Sequence, residues 1–480
     1  MSVPSTPLVT DLYQLTMMQG YHFSEMKDHE AVFDLFFRKN PFNGGFTVFL
    51  GLSDVVEFIR TFHFSEDDLA YLDSLKMFST KFLDYLKDFR FTGDLHAVAE
   101  GTVVFPHESL IRVKGALDQC QILETALLNI VNFQSLIATK AARICLQAGE
   151  DKVVDFGLRR AQGVDGGLTA SKAAYIGGCS GTSNMQAGKI YKIPVKGTHA
   201  HSWVTAFRDE LTAFRRFAEI FPQNTVLLVD TYDTLGSGLP NAIKVGLEMK
   251  ERGEKLTAIR LDSGDLAYLS IRAREMLDEA GLTDTKIIAS NELDEYVIHE
   301  LNMQGARIDL YGVGTKLVTA NDDPSLSGVY KMCCIRAPGK EWEMRIKISE
   351  RMDKSNLPGI KQIYRLNNHG REMIGDIIEL EGFDLDFSRG IKGIHPFLEY
   401  KCKYYDDISD AKPLLSQYVK GGEVIKVPPD LKEVREYVKA ELRRLNSSHK
   451  RLLNPHIYKV SLGPKLADVT HKLRTEYMTT

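Results

Sequence analysis

The chain of 480 residues lacks a clear excess of charge of either sign, since 60 Lys and Arg face 64 Asp and Glu for a net charge of −4. Nonspecific nucleic-acid binders carry a marked basic excess, so that class is not expected. Disorder is also disfavoured, because 44% of the residues are hydrophobic and 26% are charged, as in ordinary globular proteins. We therefore expect a folded protein without a nucleic-acid partner.

Long apolar runs, a leader and cysteine motifs are missing as well. No apolar run approaches the roughly 18 residues of a membrane helix, and the first residues lack the basic and apolar segments of a secretory signal. The six cysteines include no C-x-x-C pair, which argues against a zinc site and for reduced, buried thiols. The pattern predicts a cytoplasmic protein that does not enter a membrane.

Linkers rich in Pro, Gly and Ser, low-complexity tracts and short repeats are absent too, so we expect domains that are packed together. In the first 115 residues, aromatic and β-branched content predicts strands over 31–39 and 45–52. Helical spacing predicts helices over 54–62 and 78–89. We interpret residues 1–115 as an N-terminal α/β domain.

Short apolar runs recur about every 26 residues in the middle of the chain and predict strands. They span 153–156, 173–178, 192–195, 225–230, 256–262, 285–290 and 307–314. Helical patterns fill most intervals, as in 206–221 and 269–281, and a longer one covers 118–149. Strand–helix alternation predicts parallel strands, and seven units favour an irregular (β/α) barrel over an open sheet. We interpret 116–328 as a barrel-like catalytic domain.

The remaining segment, 329–480, has a different texture. Possible antiparallel strands cover 328–337 and 341–349, and apolar residues at helical spacing over 430–445 predict an amphipathic helix docked on the body of the protein. We expect part of 329–400 to complete the N-terminal domain.

Polar residues follow six of the predicted middle strands. These strand ends comprise 156–160, 197–202, 230–234, 262–265 together with Arg260, 290–292 and 312–316. A single polar strand end often only caps a helix, because Asp and Ser are favoured N-caps. Six in succession favour a catalytic mouth, since barrels bind substrates at the C-terminal ends of their strands.

The residue types at these ends indicate phosphate chemistry. Gly312, Gly314 and Thr315 follow the last strand, where backbone N–H groups can approach an anion, although such a turn is often only a turn. Four aspartates could hold Mg²⁺, with helix capping as the alternative for at least one of them. They are Asp230, Asp233, Asp262 and Asp265.

Histidine and arginine side chains complete this set. His199 and His201 point to one face if the segment is extended, and one of them could act as a base or as a nucleophile towards phosphorus. Arg159, Arg160 and Arg260 could bind carboxylate or phosphate, with surface salt bridges as the alternative. The residues alone therefore predict an enzyme for a phosphorylated, Mg²⁺-bound small molecule.

Five motifs, in this order, resemble those of the nicotinate phosphoribosyltransferase family. They are TDLYQLTM (10–17), FGLRRAQG (156–163), GTHAHS (197–202), DTYDT (230–234) and RLDSGD (260–265). The resemblance covers about residues 8 to 320 and is vaguer beyond. It implies a type II phosphoribosyltransferase fold, in which an α/β domain packs on an irregular α/β barrel, and a homodimer with active sites at the interface.

The resemblance also implies a reaction. Nicotinate is joined to 5-phosphoribosyl-1-diphosphate (PRPP) to give nicotinate mononucleotide and diphosphate, with Mg²⁺ present, and ATP hydrolysis is coupled through a phosphohistidine. His201 corresponds to the phosphorylated histidine, and Asp233 and Asp262 to residues that hold Mg²⁺, ribose hydroxyls or the histidine ring. The implied substrate-binding residues are Phe156 and a partner subunit's Tyr13 around the pyridine ring, Arg159 and Arg260 for its carboxylate and a nearby phosphate, and Gly312, Gly314 and Thr315 for the 5-phosphate, with Ser290 and Asn291 nearby.

One departure and three alternatives stay open. The family often carries Phe-Asp where Cys179 and Ser180 stand, which bears on how the histidine or ribose is held. The nearest alternative is a nicotinamide phosphoribosyltransferase, which would need a neutral or carboxylate partner for the amide. A phosphate-binding aldolase or isomerase barrel would need a Schiff-base lysine, for which Lys196 is the candidate. A catalytically idle sensor would not need His201, Asp233 and Asp262.

Overall fold

The computed structural model describes residues 6–348 and 354–479. The strands are β1 (Glu30–Phe37), β2 (Thr47–Val48), β3 (Asp94–Ala97), β4 (Val103–Val104), β5 (Ile111–Ala116), β6 (Val153–Asp155), β7 (Val226–Leu228), β8 (Ala258–Leu261), β9 (Lys286–Ala289), β10 (Leu310–Val313), β11 (Gly328–Arg336), β12 (Glu343–Met344), β13 (Lys361–Asn367), β14 (Met373–Leu380), β15 (Ile391–Ile394), β16 (Cys402–Tyr405), β17 (Asp410–Pro413), β18 (Ser416–Lys420), β19 (Glu423–Val424) and β20 (Val460–Leu462).

The α-helices are α1 (Leu12–His22), α2 (Leu52–Thr61), α3 (Glu66–Ser74), α4 (Thr80–Lys87), α5 (Leu117–Ile122), α6 (Glu124–Ala148), α7 (Val164–Ile176), α8 (Met185–Tyr191), α9 (His201–Thr205), α10 (Glu210–Ile220), α11 (Leu239–Glu251), α12 (Leu266–Glu279), α13 (Glu295–Met303), α14 (Thr315–Val318), α15 (Leu431–Arg444) and α16 (Pro464–Thr479). Short 3₁₀ turns cover Pro41–Asn43, Leu158–Arg160 and Ser447–Lys450, and a π-helical turn covers Thr234–Gly238.

The chain forms two compact units, and the three domains expected from the sequence stay a prediction. Met1–Leu136 and Ser325–Thr480 make up the larger unit, and Ile137–Pro324 the smaller. The predicted limit at 115/116 falls at the end of β5, whereas the units divide inside α6. The division between residues 136 and 137 lies within one continuous helix, and no shift in composition marks it in the sequence.

In the described residues, the larger unit contains two large sheets and the small two-stranded sheet β2-β4. The first has the strand order β12-β11-β1-β5-β3-β18-β19, and the second has the order β16-β15-β20-β14-β13-β17. At the centre of the first sheet, β1 pairs antiparallel with both β5 and β11, and every residue after Glu30 in it is buried. Among these, the carboxylate of Asp34 pairs with the ammonium of Lys361 at 2.7 Å and accepts a hydrogen bond from Ser109 at 2.6 Å.

The smaller unit is built on a parallel sheet with the strand order β6-β10-β9-β8-β7. Single bridges continue it from Asp155 to Thr182 and from Thr182 to Val195. The prediction of an α/β domain with parallel strands is confirmed, but the described strands form an open ladder. The helices joining them, including α10 and α12, fall where the apolar spacing predicted helices.

Some strand predictions are wrong. Residues 173–178 were expected as a strand but contain the end of α7, because Ala173, Ala174 and Ile176 continue the buried face of that helix. Residues 192–195 contribute only the bridge at Val195. The predicted strand over 45–52 shrinks to β2, and the one over 341–349 shrinks to β12, with residue 349 outside the described ranges.

The expectation of no membrane-length apolar stretch also needs correction. Leu117–Ala148, which comprises α5 and α6, is long and apolar enough to cross a membrane by length and composition alone. Most of its apolar window is buried inside the structure, as in the core helix of many soluble proteins. The helix ends before Gly149, whose φ of +95° favours glycine.

A buried charge network joins α15 to the second sheet of the larger unit. The guanidinium of Arg365 in β13 pairs with Asp376 of β14 at 2.8 Å and with Glu441 of α15 at 3.0 Å, and all three side chains are buried. Tyr458 donates a further hydrogen bond to Asp376 at 3.0 Å. The predicted docking of this helix is confirmed, since Val434 and Val438 are buried.

We expect Arg365→Met to destabilise the protein by about 3–5 kcal/mol, because the buried carboxylate of Asp376 loses its cation and Glu441 is left with Arg444. Urea unfolding measures the change. The matched control is Arg60→Met, which breaks an exposed ion pair with Glu57 at 2.6 Å and should cost about 1 kcal/mol or less. Equal losses for the two variants would contradict the assigned role of the network.

Candidate active site

The candidate site lies at the C-terminal edge of the parallel sheet in the smaller unit. His201 begins α9, and Thr231 follows β7 by three residues. The Nδ1 atom of His201 lies 3.1 Å from Oγ1 of Thr231, and its Nε2 atom lies 3.7 Å from Oδ2 of Asp262. The imidazole is 44% exposed. It is therefore oriented by two neighbouring strand ends and open to a ligand.

His199 has a different environment from His201. Its ring is buried; Nε2 accepts a hydrogen bond from the Leu228 amide at 3.2 Å, and Nδ1 faces the Ala200 carbonyl at 3.2 Å. Burial lowers the pKa of His199, against a smaller raising effect of the Ala200 carbonyl. Both ring nitrogens are engaged with backbone, which makes His199 a structural residue.

Asp262 is the most tightly held carboxylate of the site. Its Oδ1 accepts hydrogen bonds from Ser290 and, at 2.9 Å, from Arg260, and its backbone amide donates to Asp230 at 2.8 Å. Burial alone would raise the pKa of Asp262, but the hydrogen bond from Ser290 and the charge of Arg260, with His201 adding to them, lower it overall. The carboxylate beside His201 is therefore ionised at neutral pH.

Arg260 connects this carboxylate to Phe156. Its Nε donates to Ser290 at 2.8 Å, its Nη2 donates to Asp262, and its guanidinium carbon lies 5.5 Å from the centre of the Phe156 ring. The Arg260 side chain is only 13% exposed. Two of its nitrogens are thus committed within the protein, which limits what it can offer a ligand.

The Phe156 ring packs directly against Gly312, where a side chain would collide with it. A Cβ atom at Gly312 would lie 2.5 Å from two carbons of this ring. The Phe156 amide donates to the Val313 carbonyl at 2.8 Å, which fixes the turn after β6 against β10. Gly312 is therefore required for ring packing, whereas Gly314 and Thr315 stand at the start of α14.

The other predicted binding residues lie around this edge. Arg159 and Arg160 are exposed in the 3₁₀ turn after Phe156, and neither side chain has a hydrogen bond or ion pair within the described ranges. Asn291 directly follows Ser290 with a φ of +111°, a backbone region that Asn tolerates better than most residues. Tyr13 lies elsewhere, in α1 of the larger unit, with its hydroxyl 3.5 Å from Glu124.

Two of the four clustered aspartates cap helices, as one alternative expected. Asp233 accepts from the amides of Leu235 and Gly236, and Asp265 accepts from the amide of Tyr268. Asp230 is buried; its Oδ2 accepts from Ser263 at 2.6 Å, and its Oδ1 has no hydrogen-bond partner among the described residues.

The donor set bears on magnesium. The described residues contain no group of three or more His, Cys, Asp or Glu side chains able to hold a metal ion. Single carboxylate oxygens at Asp230, Asp233 and Asp262 do remain without a hydrogen bond in the described part of the chain. This fits Mg²⁺, which is usually held by one or two carboxylates plus substrate phosphates rather than by a full protein cage.

Sequence reasoning missed two residues that orient the site. Thr231 was quoted within a motif without a role, and Asp155 was not singled out at all, although an acidic residue at the end of an apolar strand is a usable signal. Asp155 accepts the amide hydrogen of Gly157 at 2.8 Å, inside the turn that carries Phe156.

Comparison with known proteins identifies the class. The fold matches the crystal structure of human nicotinic acid phosphoribosyltransferase with a TM-score of 0.85 at 31% identity, covering 97% of this chain and 99% of that one. A nicotinate-nucleotide pyrophosphorylase from Pyrococcus furiosus shares the fold, with a TM-score of 0.70 at 23% identity over 91% of this chain and 95% of that one. The fold and the site together define a type II phosphoribosyltransferase.

Sequence comparisons identify the family. Nicotinate phosphoribosyltransferase models match here as the N-terminal domain over residues 8–132, the family itself over 152–356 and the C-terminal domain over 360–470. The enzyme of that name from Bacillus subtilis is 45% identical over 96% of this chain and 93% of its own length, and that from Dictyostelium discoideum is 38% identical over 98% and 88%. The chain belongs to the nicotinate phosphoribosyltransferase family and is an enzyme, which confirms the resemblance of the five motifs.

We expect the Asp262→Asn variant to be less stable than the wild type at pH 7. The difference in their free energies of unfolding should stay constant until the pH falls below about 4. The folded-state pKa of Asp262 lies below its unfolded value, so the ionised carboxylate stabilises the fold above the unfolded value. That contribution is lost only as the pH falls through the lower folded-state pKa. Urea unfolding of both proteins at several pH values measures the difference. A difference that already shrinks between about pH 7 and 5 would mean a raised pKa and contradict the assignment.

Proposed function

We propose that this enzyme joins nicotinate to PRPP, giving nicotinate mononucleotide and diphosphate, and that it couples the reaction to ATP hydrolysis through phosphorylated His201. Family membership supports the transfer reaction. The observation that carries the coupling is the imidazole of His201, which lies between the hydroxyl of Thr231 and the ionised carboxylate of Asp262.

The two ring nitrogens of His201 have different roles in this proposal. The Asp262 carboxylate lies on the Nε2 side, where its negative charge would repel an incoming phosphoryl group and would stabilise a proton. Nδ1 therefore attacks the γ-phosphorus of ATP, the N–P bond forms, and the bond to the departing ADP oxygen breaks. The proton stays on Nε2, balanced by Asp262, and the Thr231 hydroxyl turns from Nδ1 to a phosphoryl oxygen.

Nicotinate binding falls to the turn after β6. The face of the Phe156 ring stacks on the pyridine ring, and the Tyr13 side chain of a second copy covers the other face; stacking adds about 0.5–1.5 kcal/mol beyond burial. Arg159 is exposed and without an ion pair in the described residues, so its guanidinium is the candidate for the nicotinate carboxylate. Arg260 already donates from Nε to Ser290 and from Nη2 to Asp262. Its Nη1 atom is left to donate to a neighbouring phosphate.

PRPP binds across the ends of β9 and β10. The amides at Gly312, Gly314 and Thr315 face the 5-phosphate, in the late-strand position where barrels commonly bind phosphate, and Ser290 and Asn291 lie at the neighbouring strand end. Asp233 and Asp262 would hold Mg²⁺ together with the diphosphate, and Mg²⁺ would neutralise charge on that group.

The transfer itself is a loose displacement at the anomeric carbon of ribose. The aligned pyridine nitrogen forms the new C–N bond as the C–O bond to diphosphate breaks. Cationic side chains at the site stabilise the charge that develops on the departing diphosphate. Stacking on Phe156 keeps the pyridine nitrogen aligned with the anomeric carbon. The binding energy of the ring is thereby used to orient it for the reaction.

The finer architecture belongs to the same proposal. The bridges at Thr182 and Val195, with a hydrogen bond from Thr198 to the Val226 carbonyl at 2.7 Å, support an irregular barrel that is only partly closed. An apolar groove with the exposed side chains of Leu158, Val164 and Met185 supports a homodimer with shared active sites. We place the enzyme in the cytoplasm.

Two alternative activities lack support from the site. A nicotinamide enzyme would need a neutral or anionic partner for the amide group. The polar side chains of the turn after Phe156 are instead the cationic Arg159 and Arg160. A Schiff-base aldolase would need a free lysine, but the ammonium of Lys196 donates to the Ser180 hydroxyl at 2.9 Å. Ser180 is the second of the two residues that stand where the family often has Phe-Asp, and it places a neutral hydroxyl bound to Lys196 at that position.

We expect the purified enzyme to use nicotinate in strong preference to nicotinamide, and His201→Ala to lose the stimulation by ATP while folding normally. The reason is that the variant has no imidazole to accept phosphorus. Nucleotide formation from PRPP with and without ATP, measured for each acceptor, checks both expectations.

His199→Gln is the control for removal of a nearby histidine, because the His199 ring contacts backbone and lies outside the reaction. Unchanged ATP-stimulated turnover in His201→Ala would contradict the coupling. A preference for nicotinamide would contradict the assigned acceptor.

A further inference from the structure

A buried carboxylate outside the reacting groups holds the turn that carries Phe156. Asp155 ends β6, and its side chain is buried without any cationic partner in the described part of the chain. Burial raises the pKa of Asp155, and hydrogen bonds from neutral donors oppose that rise. A lone buried carboxylate is costly, so its retention calls for a specific use.

The three hydrogen bonds to Asp155 come from three different segments. Its Oδ1 accepts from the Gly157 amide at 2.8 Å. Its Oδ2 accepts from the Ser171 hydroxyl of α7 at 2.8 Å and from the Thr182 hydroxyl at 2.7 Å. The carboxylate therefore ties the turn after β6 to a helix and to the segment that adds the next bridge to the sheet.

Thr182 extends the connection. Its hydroxyl also accepts from the amide of Asn184 at 3.0 Å, and the Asn184 side chain in turn caps α8 by accepting from the amides of Gln186 and Ala187. One hydroxyl thus couples the Asp155 carboxylate to the start of α8.

The turn itself has little freedom to shift while these bonds are intact. A Cβ atom at Gly157 would lie 2.6 Å from the Cβ of Val318, so the backbone of the turn already touches α14. The Phe156 amide is bonded to the Val313 carbonyl, and its ring fills the space left by Gly312. The Gly157 amide is the next donor along the chain, and Asp155 accepts it.

We propose that Asp155 and Thr182 are positioning residues for the pyridine substrate, acting through the Phe156–Arg160 turn and not on the reacting atoms. The assignment rests on the proposed function, in which Phe156 and Arg159 bind nicotinate. Loss of either group leaves the strands in place but lets the turn relax, so the ring and the guanidinium leave their binding geometry. His201 and Asp262 stand on other strand ends, and they are joined to the turn through the contact of Arg260 with the Phe156 ring, so we expect a smaller effect on them.

The test compares Thr182→Val with wild type, because valine keeps the shape and removes only the hydroxyl. We expect kcat/KM for nicotinate to fall roughly tenfold, chiefly through a higher KM, with the KM for PRPP within about twofold of wild type. Phosphorylation of His201 by ATP should be affected less. Thr182→Ser restores the hydroxyl and should restore the KM for nicotinate.

Thr285→Val is the matched control. Thr285 is equally buried, donates to the Leu256 carbonyl at 3.1 Å, and precedes β9 at the opposite end of the sheet from the candidate site. This substitution should leave the KM for nicotinate unchanged. If Thr182→Val does not fold, Asp155→Asn takes its place in the test. We expect it to raise the KM for nicotinate as well.

Each outcome decides between the possibilities. A rise in the KM for nicotinate that is no larger in Thr182→Val than in Thr285→Val overturns the assignment, as does a parallel loss of kcat and His201 phosphorylation, which would indicate a general structural role. Wild-type enzyme without nicotinate turnover would instead overturn the proposed function, so the two failures are distinguishable.

Discussion

The candidate active site depends on one electrostatic arrangement, an ionised carboxylate held beside a histidine. Arg260 and Ser290 keep Asp262 ionised despite its partial burial, and Asp262 lies within ion-pair distance of His201. Because these groups come from separate strand ends, the sheet must place them before any ligand arrives. Such preorganisation lets the site stabilise charge that develops during the reaction without rearranging.

Much of the fold and site could be predicted from the chain, for physical reasons. Five of seven apolar runs became strands because parallel buried strands read as continuous apolar segments. The strand predicted over 173–178 was wrong, because an apolar run at the end of a buried helix has the same composition as a strand. The His201–Asp262 pair was expected from strand-end chemistry and from the family resemblance, but its distance and the capping role of Asp233 depend on backbone geometry that the sequence does not encode locally.

The buried polar groups show a second limit of sequence reasoning. Asp155 reads as one acidic residue in a short strand, and nothing nearby in the sequence reveals that Ser171 and Thr182 reach it. The same holds for Arg365, whose partners Asp376 and Glu441 lie in distant elements. Long-range hydrogen bonds of this kind fix the geometry of the turn and the helix, and they become visible only once the chain is folded.

The most direct test is mass spectrometry of the intact enzyme and its peptides after exposure to ATP at neutral or alkaline pH, since phosphohistidine is labile to acid. The predicted result is one phosphoryl group per chain on His201 of the wild-type enzyme and little or none on the Asp262→Asn variant. Phosphate on another residue, or the same occupancy of His201 without the Asp262 carboxylate, would contradict the central claim that this carboxylate prepares the histidine for phosphorus.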